Sequence, residues 1–490
     1  MMIGWRFPKC EPVSVLEVPD SEIEARLRFD NPWWRAGTRV PFSELPRRAY
    51  LNPLLVLVAD LSVNRAVVLL GPRRVGKTVL LHQVIHALIA SGVPGPAILY
   101  LSLDTPVYTG LTLERITRLH EVLSGLGTGA TRYVFFDEIQ YLKDWERHLK
   151  SLVDSFPQCR FVATGSAAAA LRLKSQESGA GRFTDFLLPP LTFCEYLRFI
   201  ERDDLLEPDP DSERAYRAVS AESLEYLNAE FINYLNYGGY PEAVFNERLR
   251  QDASRFIKSD VIDKVLLRDL PSLYGISDIQ ELNSLFATLA YNTAQEVEMG
   301  KLSQNSGVVA NTLARYLEYL EAAFLVRRIR RLDENARRFK RARGFKVYLT
   351  NPSMRAALFG PVDAEHPAMG ALAETAIFSQ WLHAASLMQR LFYARWKGGM
   401  EVDMVGLSPD LHTVSWIVEV KWSDRVFHRP EELKGLLAFL KRNPVARTPL
   451  VTTRTCSGRK QVQGMEVEFV PTSVHCFTLG RNVLKDWEQD

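Results

Sequence analysis

“GPRRVGKT” occupies residues 71–78, directly after the apolar run AVVLL at 66–70 and at the start of the helical pattern TVLLHQVIHALIA at 78–90. Its spacing, G-x-x-x-x-G-K-[ST], lets backbone N–H groups surround phosphates, while the following helix points its positive end at them. The apolar run predicts a buried strand and the next pattern an amphipathic helix. A structural glycine turn is the alternative, but this strand–loop–helix context favours a nucleotide site in an α/β fold.

The side chains of this P-loop have distinct predicted roles. Lys77 is expected to reach the β- and γ-phosphates, and Thr78 to place its hydroxyl on Mg²⁺. ATP and Mg²⁺ are therefore the predicted ligands. The predicted nucleotide-binding residues of the loop are Gly71, Pro72, Arg73, Arg74, Val75, Gly76, Lys77, Thr78 and Val79.

A second motif, RYVFFDEIQ at 132–140, ends an apolar strand with Asp137 and Glu138. It is typical of a Walker B motif, in which Asp137 would hold Mg²⁺ and Glu138 would polarise the attacking water. The alternative is that both acids open the next helix, where the helix dipole favours negative charge. Their position behind a P-loop favours the catalytic interpretation.

Two more apolar segments, AILYLSLD at 97–104 and RFVATGSAAA at 160–169, predict additional strands. Because the first lies between the two motifs, we expect an extra strand to separate their strands in the sheet. That arrangement belongs to the additional-strand P-loop ATPases, which include the AAA+ enzymes. Thr164 or Ser166 would then stand where AAA+ proteins keep a polar sensor of the γ-phosphate; a turn rich in Gly and Ser is the alternative.

Arg182 precedes a fifth strand in GAGRFTDFLLPPLTFCEYL. This is the usual place for an arginine that stabilises transition-state charge, often in a neighbouring subunit. A surface arginine is the alternative. If Arg182 acts in trans, the protein must form a homo-oligomer to hydrolyse ATP well.

The middle of the chain predicts a helical lid followed by a winged helix. ERDDLLEPDPDSERA at 201–215 is acidic and reads as a linker or exposed loop, and Gly238, Gly239 and Pro241 break the helical pattern behind it. Such a turn can touch a nucleotide base or simply stop a helix. Residues 301–332 then predict a short helix, a turn, a long helix and a strand. Leu313, Tyr316, Leu317 and Leu320 would form the core face of the long helix.

A basic cluster follows that helix and predicts contact with DNA. Residues 327–346 contain ten Lys or Arg against two acidic residues, in a chain whose total formal charge is +2. Local positive charge of this kind suits phosphate contact. A solvated wing, or an interface for the acidic linker, is the alternative.

The last quarter of the chain contains a second set of candidate catalytic residues. Asp403 lies in EVD, Glu419 and Lys421 lie in EVK, and Glu374 lies on the preceding helical pattern. The order α-β-β-β-α-β with D…E-x-K is that of restriction-endonuclease-like nucleases. Residues two apart share a face of a strand, so the two carboxylates could bind Mg²⁺ beside the lysine, with Glu374 as an outer carboxylate. Solvated charges on an antiparallel strand, or a binding module that cuts nothing, are the alternatives.

Together these motifs resemble a family of prokaryotic ATP-binding proteins that combine an AAA+-type ATPase domain with a C-terminal domain of unknown function. The resemblance spans about residues 50 to 480 and implies ATP binding and hydrolysis, with a winged helix and an endonuclease-like PD-(D/E)XK fold behind. One departure is Asn351, where the family pattern has aspartate. The motifs are GPRRVGKT, YVFFDEIQ, ATGSAAA, LPPLTFCEYL, YLNYGGYPEAV, KVYLTNPSMRAAL, ALAETAIFSQWL and EVDMVG…IVEVK.

Length and composition set the outer limits. A chain of 490 residues requires several domains, and five cysteines without a C-x-x-C pair argue against a disulfide or zinc framework. The apolar stretches are too short for a membrane span and the N-terminus lacks a signal-peptide core, so a cytoplasmic protein is expected. The predicted domains are an N-terminal arm at 1–55, the ATPase core at 56–200, the lid at 201–265, the winged helix at 266–348 and the nuclease-like domain at 349–490.

Three functions follow as hypotheses. The first is an ATP-driven enzyme that acts on DNA, with Mg²⁺-dependent cutting at Asp403, Glu419 and Lys421. The second is a nucleotide-controlled switch or scaffold whose C-terminal fold binds a partner. The third is a regulator whose winged helix reads a DNA site. We favour the first for ATP and DNA.

Overall fold

The computed structural model describes residues 18–127, 129–165, 181–212, 214–338 and 344–488. Two sheets organise the described chain, one in each half. A third, two-stranded sheet joins β6 (Leu206–Pro208) to β7 (Tyr216–Ala218). The acidic segment predicted as a linker or exposed loop at 201–215 thus contains the first strand of a short hairpin.

The strands of the first sheet are β1 (Ala66–Leu70), β2 (Ile98–Ser102), β3 (Arg132–Asp137), β4 (Cys159–Gly165) and β5 (Phe183–Leu187). The sheet is entirely parallel and has the order β2-β3-β4-β1-β5. A strand does separate β1 from β3, as expected, but it is β4, which follows the Walker B motif; β2 lies at the sheet edge. All five residues of β1 and all six of β3 are buried, which explains their continuous apolar sequence.

Helices pack on both sides of this sheet. The helix behind β3 begins only at Trp145, so Asp137 and Glu138 do not open it. The arm packs on the core through two tryptophans, since Trp33 and Trp34 both donate from Nε1 to the carbonyl oxygen of Ile98. The helices are Asp20–Asp30, Leu51–Ala59, Lys77–Ala90, Leu113–Ser124, Trp145–Ser155 and Phe193–Phe199, with 3₁₀ turns at Pro32–Trp34, Gly95–Ala97, Pro106–Tyr108, Ile139–Tyr141 and Asp203–Leu205.

The middle of the chain is helical, as predicted from its sequence. The first long helix stops at Tyr237, immediately before the glycine pair, because Gly238 and Gly239 lead into a proline-started helix. The helical segments are Ala221–Tyr237, Pro241–Phe245, Glu247–Gln251, Ala253–Phe256, Leu270–Tyr274 and Ile279–Tyr291, with the π-helical segments Ile257–Asp263 and Val265–Asp269.

The second sheet is mixed, has nine strands, and runs in the order β15-β16-β14-β13-β12-β11-β9-β10-β8. Its strands are β8 (Gln295–Glu298), β9 (Val326–Leu332), β10 (Gly344–Leu349), β11 (Leu391–Trp396), β12 (Met400–Leu407), β13 (Val414–Glu419), β14 (Leu450–Thr453), β15 (Gly458–Val462) and β16 (Met465–Pro471). The helices around it are Met299–Ser306, Ala310–Ala322, Ser353–Phe359, Met369–Gln380, Ala385–Met388, Arg425–His428, Lys434–Arg442 and Thr472–Glu488, with 3₁₀ turns at Trp381–His383 and Pro430–Glu432.

This second sheet crosses the domain boundary predicted at residues 348 and 349. β9 pairs with β11 in parallel, with Arg331 opposite Tyr393 and Leu332 opposite Ala394. The helix Met369–Gln380, expected to be amphipathic, is buried along 372–380 because it packs between the sheet and the helix Thr472–Glu488. The strands predicted as a wing and those predicted as a nuclease-like core therefore share one backbone hydrogen-bond network.

Two simpler expectations concern cysteines and membranes. Within the described ranges Cys159, Cys194, Cys456 and Cys476 form no disulfide. The same part of the chain contains no helix with the length and apolar character that a membrane span requires.

Candidate functional site

The P-loop connects β1 to the helix Lys77–Ala90, and carbonyl groups of the loop accept hydrogen bonds from the loop's own lysine. Lys77 Nζ donates to the carbonyl oxygens of Pro72 at 2.7 Å and Gly71 at 3.0 Å. Gly76 has φ +93°, a backbone conformation that glycine adopts without steric cost. Burial lowers the pKa of the Lys77 ammonium, against the opposing effect of the Glu138 and Asp137 charges. A buried ammonium at a helix N-terminus suits a phosphate ligand.

Asp137, at the carboxyl end of β3, accepts hydrogen bonds from several donors. Its Oδ2 accepts from the Thr78 hydroxyl at 2.7 Å and from the Tyr100 hydroxyl at 3.0 Å, and its Oδ1 accepts from Thr164. A hydroxyl and a carboxylate side by side are the ligands that Mg²⁺ takes in P-loop proteins, so Thr78 and Asp137 fit that ion. Sequence reasoning missed Tyr100; its only signal is a hydroxyl in the strand that neighbours β3.

Glu138 follows Asp137 in a left-handed backbone conformation with φ 54°. A non-glycine residue in this region is uncommon and costs energy, so the surrounding contacts must hold it there. Its backbone N–H donates to Thr164 Oγ1 at 2.9 Å, and its carboxylate accepts from the Gln140 side chain. These contacts fix the Glu138 backbone next to Asp137 and give its carboxylate one side-chain donor.

Both arginines of the P-loop form ion pairs with the helical region behind the ATPase core: Arg74 with the segment predicted as a lid, and Arg73 with a residue just beyond its predicted end at 265. Arg73 donates to Asp269 in a bidentate pair at 2.7 and 2.9 Å. Arg74 contacts Glu242 at 2.9 Å and Asp260 at 2.6 Å. Burial alone would lower the pKa of Arg73, but the Asp269 pair outweighs it and raises that pKa. The loop that would hold phosphates is thus tied to the segment behind it.

The glycine turn of that segment lies between the P-loop and the C-terminal half. A Cβ atom on Gly76 would lie 3.9 Å from Cγ of Pro241, so the turn packs against the P-loop. On its other side, a Cβ atom on Gly239 would lie 2.2 Å from the side-chain nitrogen of Asn351. Asn351, the departure from the family pattern, is fully buried, and its Oδ1 accepts from the Ser353 backbone N–H at 2.9 Å.

Arg182 is a predicted site residue that is not brought to this site. Arg182 pairs with Asp154 at 2.5 Å, and its carbonyl oxygen accepts from Ala66 at the start of β1. The P-loop follows the other end of that strand, about 16 Å away at 3.3 Å per residue. Arg182 therefore lies at the opposite sheet edge from its own P-loop, and its action in trans stays a prediction. Ser166 lies outside the described residues.

The C-terminal candidate residues do lie together, in what we call the C-terminal cluster: Lys346, Glu374, Glu401, Asp403, Glu419 and Lys421. Antiparallel pairing places Met404 opposite Val418, which aligns β12 with β13. Lys421 Nζ donates to Glu419 Oε1 at 2.7 Å and lies 3.4 Å from Asp403 Oδ2. The four residues predicted from the D…E-x-K pattern and its preceding helix are thus assembled by the fold.

Sequence reasoning missed two members of this cluster, Lys346 and Glu401, and a tyrosine that contacts it. Lys346, on β10, lies 2.7 Å from Glu374 Oε1, 2.6 Å from Glu401 Oε1 and 3.4 Å from Asp403 Oδ1. Tyr348, two residues later on the same strand, donates to Glu374 Oε1 at 2.6 Å. The only local signal was a lysine inside the apolar strand GFKVYL, where burial is costly without partners.

The surroundings of the cluster shift the pKa values of its carboxyl groups in opposite directions. Burial, with the added charge of Asp403, raises the pKa of Glu374 to about 8 and that of Glu419 to about 7. Burial alone would raise the pKa of Asp403 as well, but Lys421 and Lys346 lower it. Asp403 is therefore the carboxylate that the two lysines hold ionised.

The cluster as placed does not fit Mg²⁺. Across the ranges that the structure covers, no group of three His, Cys, Asp or Glu side chains is positioned to hold a metal ion together. The oxygens that would bind the metal face the Lys346 ammonium. The predicted metal ligands Glu374, Asp403 and Glu419 are neighbours. The Lys346 ammonium, however, occupies the position between Glu374 and Asp403.

Fewer of the basic residues at 327–346 are free and exposed than the sequence suggests, because some form ion pairs and one is buried. Arg328 pairs with Glu321 at 2.5 Å and Arg331 with Glu296 at 3.1 Å. Lys346 is buried, so its assignment to a DNA-contacting wing is wrong: β10 turns that side chain into the C-terminal cluster. Lys340, Arg341 and Arg343 lie outside the described residues. The exposed arginines are Arg327, Arg330, Arg337 and Arg338.

The parallel sheet, the P-loop and the Asp137 site define an AAA-type P-loop ATPase domain in the N-terminal half. Residues 63–197 match the AAA domain family, and residues 228–365 match a domain of unknown function, DUF8612. The second match spans both the helical segment and the first strands of the nine-stranded sheet. It therefore covers residues on both sides of the predicted boundaries at 265 and 348.

Over part of its length, the chain is similar to several proteins and solved structures. The chain is 27% identical over 271 residues to an uncharacterized protein of Methanocaldococcus jannaschii, covering 54% of this chain and 56% of that protein. It is 25% identical over 306 residues to an uncharacterized protein of Haemophilus influenzae, covering 61% and 70%. The Walker-type ATPase of Pyrococcus abyssi is 14% identical with a TM-score of 0.41, covering 66% of this chain and 99% of that one. The replication initiator DnaA bound to AMPPCP and single-stranded DNA is 12% identical with a TM-score of 0.27, covering 56% and 86%.

Proposed function

We propose that the chain is a Mg²⁺-dependent ATPase that binds DNA through its C-terminal half. The observation that carries the ATPase part is the 2.7 Å hydrogen bond from the Thr78 hydroxyl to Asp137. It joins the P-loop to the carboxylate of the second motif at the place where a nucleotide phosphate would meet the helix N-terminus.

Each residue of this site has a definite task in hydrolysis. Lys77 would exchange its two carbonyl acceptors for phosphate oxygens, which are stronger partners for an ammonium. Thr78 and Asp137 would hold Mg²⁺, which neutralises the charge of the phosphates. Glu138 would accept a proton from the attacking water or orient it. Arg182 could stabilise the transition state only from a neighbouring subunit.

The DNA part of the proposal is supported by the order of elements in the middle of the chain and by exposed charge. The helix Ile279–Tyr291, β8, two further helices, β9 and β10 follow one another in the order of a winged helix. Asn311 and Arg315 are exposed on the helix that would enter the groove. Amide and guanidinium side chains are those that pair with base edges. The four exposed arginines of the basic cluster at 327–346 would contact phosphates.

Neutralising those four arginines should weaken DNA binding and flatten its salt dependence. In a protein with Arg327, Arg330, Arg337 and Arg338 changed to Gln, the slope of log K against log salt should fall by about 0.9 for each lost phosphate contact. Fluorescence anisotropy with duplex DNA across a salt series measures it. A matched control replaces four exposed arginines elsewhere with Gln: Arg28, Arg39, Arg217 and Arg459. Equal slopes of log K against log salt in the two variants would contradict the proposed contact between the wing arginines and DNA.

Coupling between the two sites is tested by ATP hydrolysis with and without DNA. We expect DNA to raise the hydrolysis rate of the unaltered protein and to leave the rate of the four-arginine variant at its basal level. Phosphate release is the readout. Basal hydrolysis that ignores DNA in both proteins would contradict the coupling while leaving the ATPase assignment intact.

The second candidate is a nucleotide-controlled switch that binds a partner. The ion pairs of Arg73 and Arg74 with Asp269, Glu242 and Asp260 favour it, because they connect the P-loop directly to the helical segment. An ATPase indifferent to DNA, together with unchanged DNA binding by Asp403→Ala, would select this candidate. Cutting of DNA is not included in either proposal, since the C-terminal cluster as placed does not fit the metal that cutting requires.

A further inference from the structure

Lys346 lies where a cation would lie in the C-terminal cluster. Its ammonium is within 3.4 Å of carboxylate oxygens from Glu374, Glu401 and Asp403, which come from one helix and one strand. The side chain is only 2% exposed. Burying an ammonium is costly unless carboxylates pair with it, and here three of them do.

The oxygens around this lysine are already used as acceptors. Glu374 Oε1 accepts from both Lys346 at 2.7 Å and Tyr348 at 2.6 Å. Asp403 Oδ2 accepts from the Val420 backbone N–H at 2.9 Å, while Oδ1 faces Lys346 at 3.4 Å. Mg²⁺ binds carboxylate oxygens at about 2.1 Å. An ion shared by Glu374 and Asp403 would therefore need the space and the lone pairs that Lys346 holds.

The cluster also has protein counter-charges on its outer side. Glu401 Oε2 lies 3.6 Å from Arg395, and Arg395 in turn contacts Glu296 at 2.9 Å. Lys421 pairs with Glu419 at 2.7 Å. Each carboxylate of the cluster thus has a cationic side chain beside it.

We propose that Lys346 is a resident cation of the C-terminal cluster: it holds Glu374, Glu401 and Asp403 together in place of a divalent metal ion, and such an ion binds there only when this ammonium is removed. The inference goes beyond ATP hydrolysis and DNA contact, since it concerns only the C-terminal cluster. It assigns Lys346 a positioning role that the D…E-x-K pattern does not contain. It also predicts that the cluster keeps its geometry without metal.

The test is Mn²⁺ binding by the full-length chain without nucleotide, followed by the electron paramagnetic resonance signal of free Mn²⁺. Asp137→Asn serves as the background, because it removes the carboxylate of the P-loop site. We expect the background protein to bind no more Mn²⁺ than the same protein with Asp403→Asn. Adding Lys346→Met should create one Mn²⁺ site per chain, and Asp403→Asn should abolish it.

Lys421→Met is the matched control, since it removes the other lysine but leaves Lys346 between Glu374 and Asp403. It should gain no site. An equal gain in both lysine variants would overturn the proposal, because it would show an effect of charge and not of position. A Mn²⁺ ion in the background protein that Asp403→Asn removes would overturn it as well, and this comparison remains decisive even if Lys346→Met does not fold.

Thermal unfolding supplies a second readout. Removal of Lys346 takes away the ammonium that Glu374, Glu401 and Asp403 share, so Lys346→Met should melt at a lower temperature and Mn²⁺ should raise that temperature again. The background protein should show no such rise. A destabilised Lys346→Met that Mn²⁺ does not stabilise would contradict the resident-cation role. Neither readout involves ATP hydrolysis or DNA, so failure here is distinct from failure of the proposed function.

Discussion

Replacing Glu138 with Gln should lower kcat for ATP hydrolysis by about 10²–10⁴, the range that a general base contributes. The carboxylate lies beside Asp137 and is held by a left-handed backbone and by Gln140. Glutamine keeps the size of the side chain but cannot accept a proton from water. Nucleotide affinity should change little, because Lys77 and Thr78 are untouched. Steady-state phosphate release and binding of a fluorescent ATP analogue measure the two quantities.

Glu114→Gln is the control for this experiment, since Glu114 lies on the helix Leu113–Ser124 and away from the P-loop contacts. Its rate should match that of the unaltered protein. Hydrolysis at an undiminished rate by Glu138→Gln would show that another group activates the water. Loss of nucleotide binding in the same variant would instead point to collapse of the left-handed turn.

The second large effect is expected on stability, at a buried ion pair that joins the arm to the ATPase domain. Arg48 donates to both carboxylate oxygens of Glu195, at 2.9 and 2.8 Å, and to the carbonyl oxygen of Pro189 at 2.8 Å. Burial alone would raise the pKa of Glu195, yet pairing with Arg48 lowers it. Arg48→Met leaves this carboxylate buried and unpaired, which should lower the free energy of unfolding by about 3–5 kcal/mol. Urea unfolding followed by circular dichroism measures the loss.

Two comparisons separate this cause from a general effect of losing an arginine. Arg217→Met breaks an exposed pair with Glu207, 2.7 Å long, and should cost less than about 1 kcal/mol. Adding Glu195→Gln to Arg48→Met should recover part of the loss, because it removes the unpaired charge while keeping the side chain that caps the helix Phe193–Phe199. A double variant no more stable than Arg48→Met alone would refute this explanation.

Local motifs explain which parts of the site the sequence could predict. Lys77 and Thr78 follow a strand and open a helix, so their spacing alone predicts a phosphate site there. Glu419 and Lys421 lie near each other because residues two apart share a face of an extended chain. The sequence alone does not distinguish a Walker B motif at Asp137 and Glu138 from the start of the next helix. The structure rules out the helix start, because that helix begins only at Trp145.

Predictions failed where sheet order or solvent exposure decided the outcome. β4, and not the strand between the motifs, separates β1 from β3, because parallel strands are ordered by their crossovers and not by their sequence. The basic run at 327–346 predicted one charged surface, but strand β10 turns Lys346 inward. Composition counts charges and contains no information about the side of the sheet on which each one lies.

The sequence by itself determined the P-loop, the acidic residues at the end of β3 and the D…E-x-K group, since each depends on residues within one or two adjoining elements. The tertiary structure alone decided which cation enters the C-terminal cluster and which arginine neutralises Glu195. Lys346 is 57 positions from Asp403, and Arg48 is 147 positions from Glu195. Contacts over such separations arise from the packing of whole sheets and helices, because only burial brings these charges together and makes an unpaired one costly.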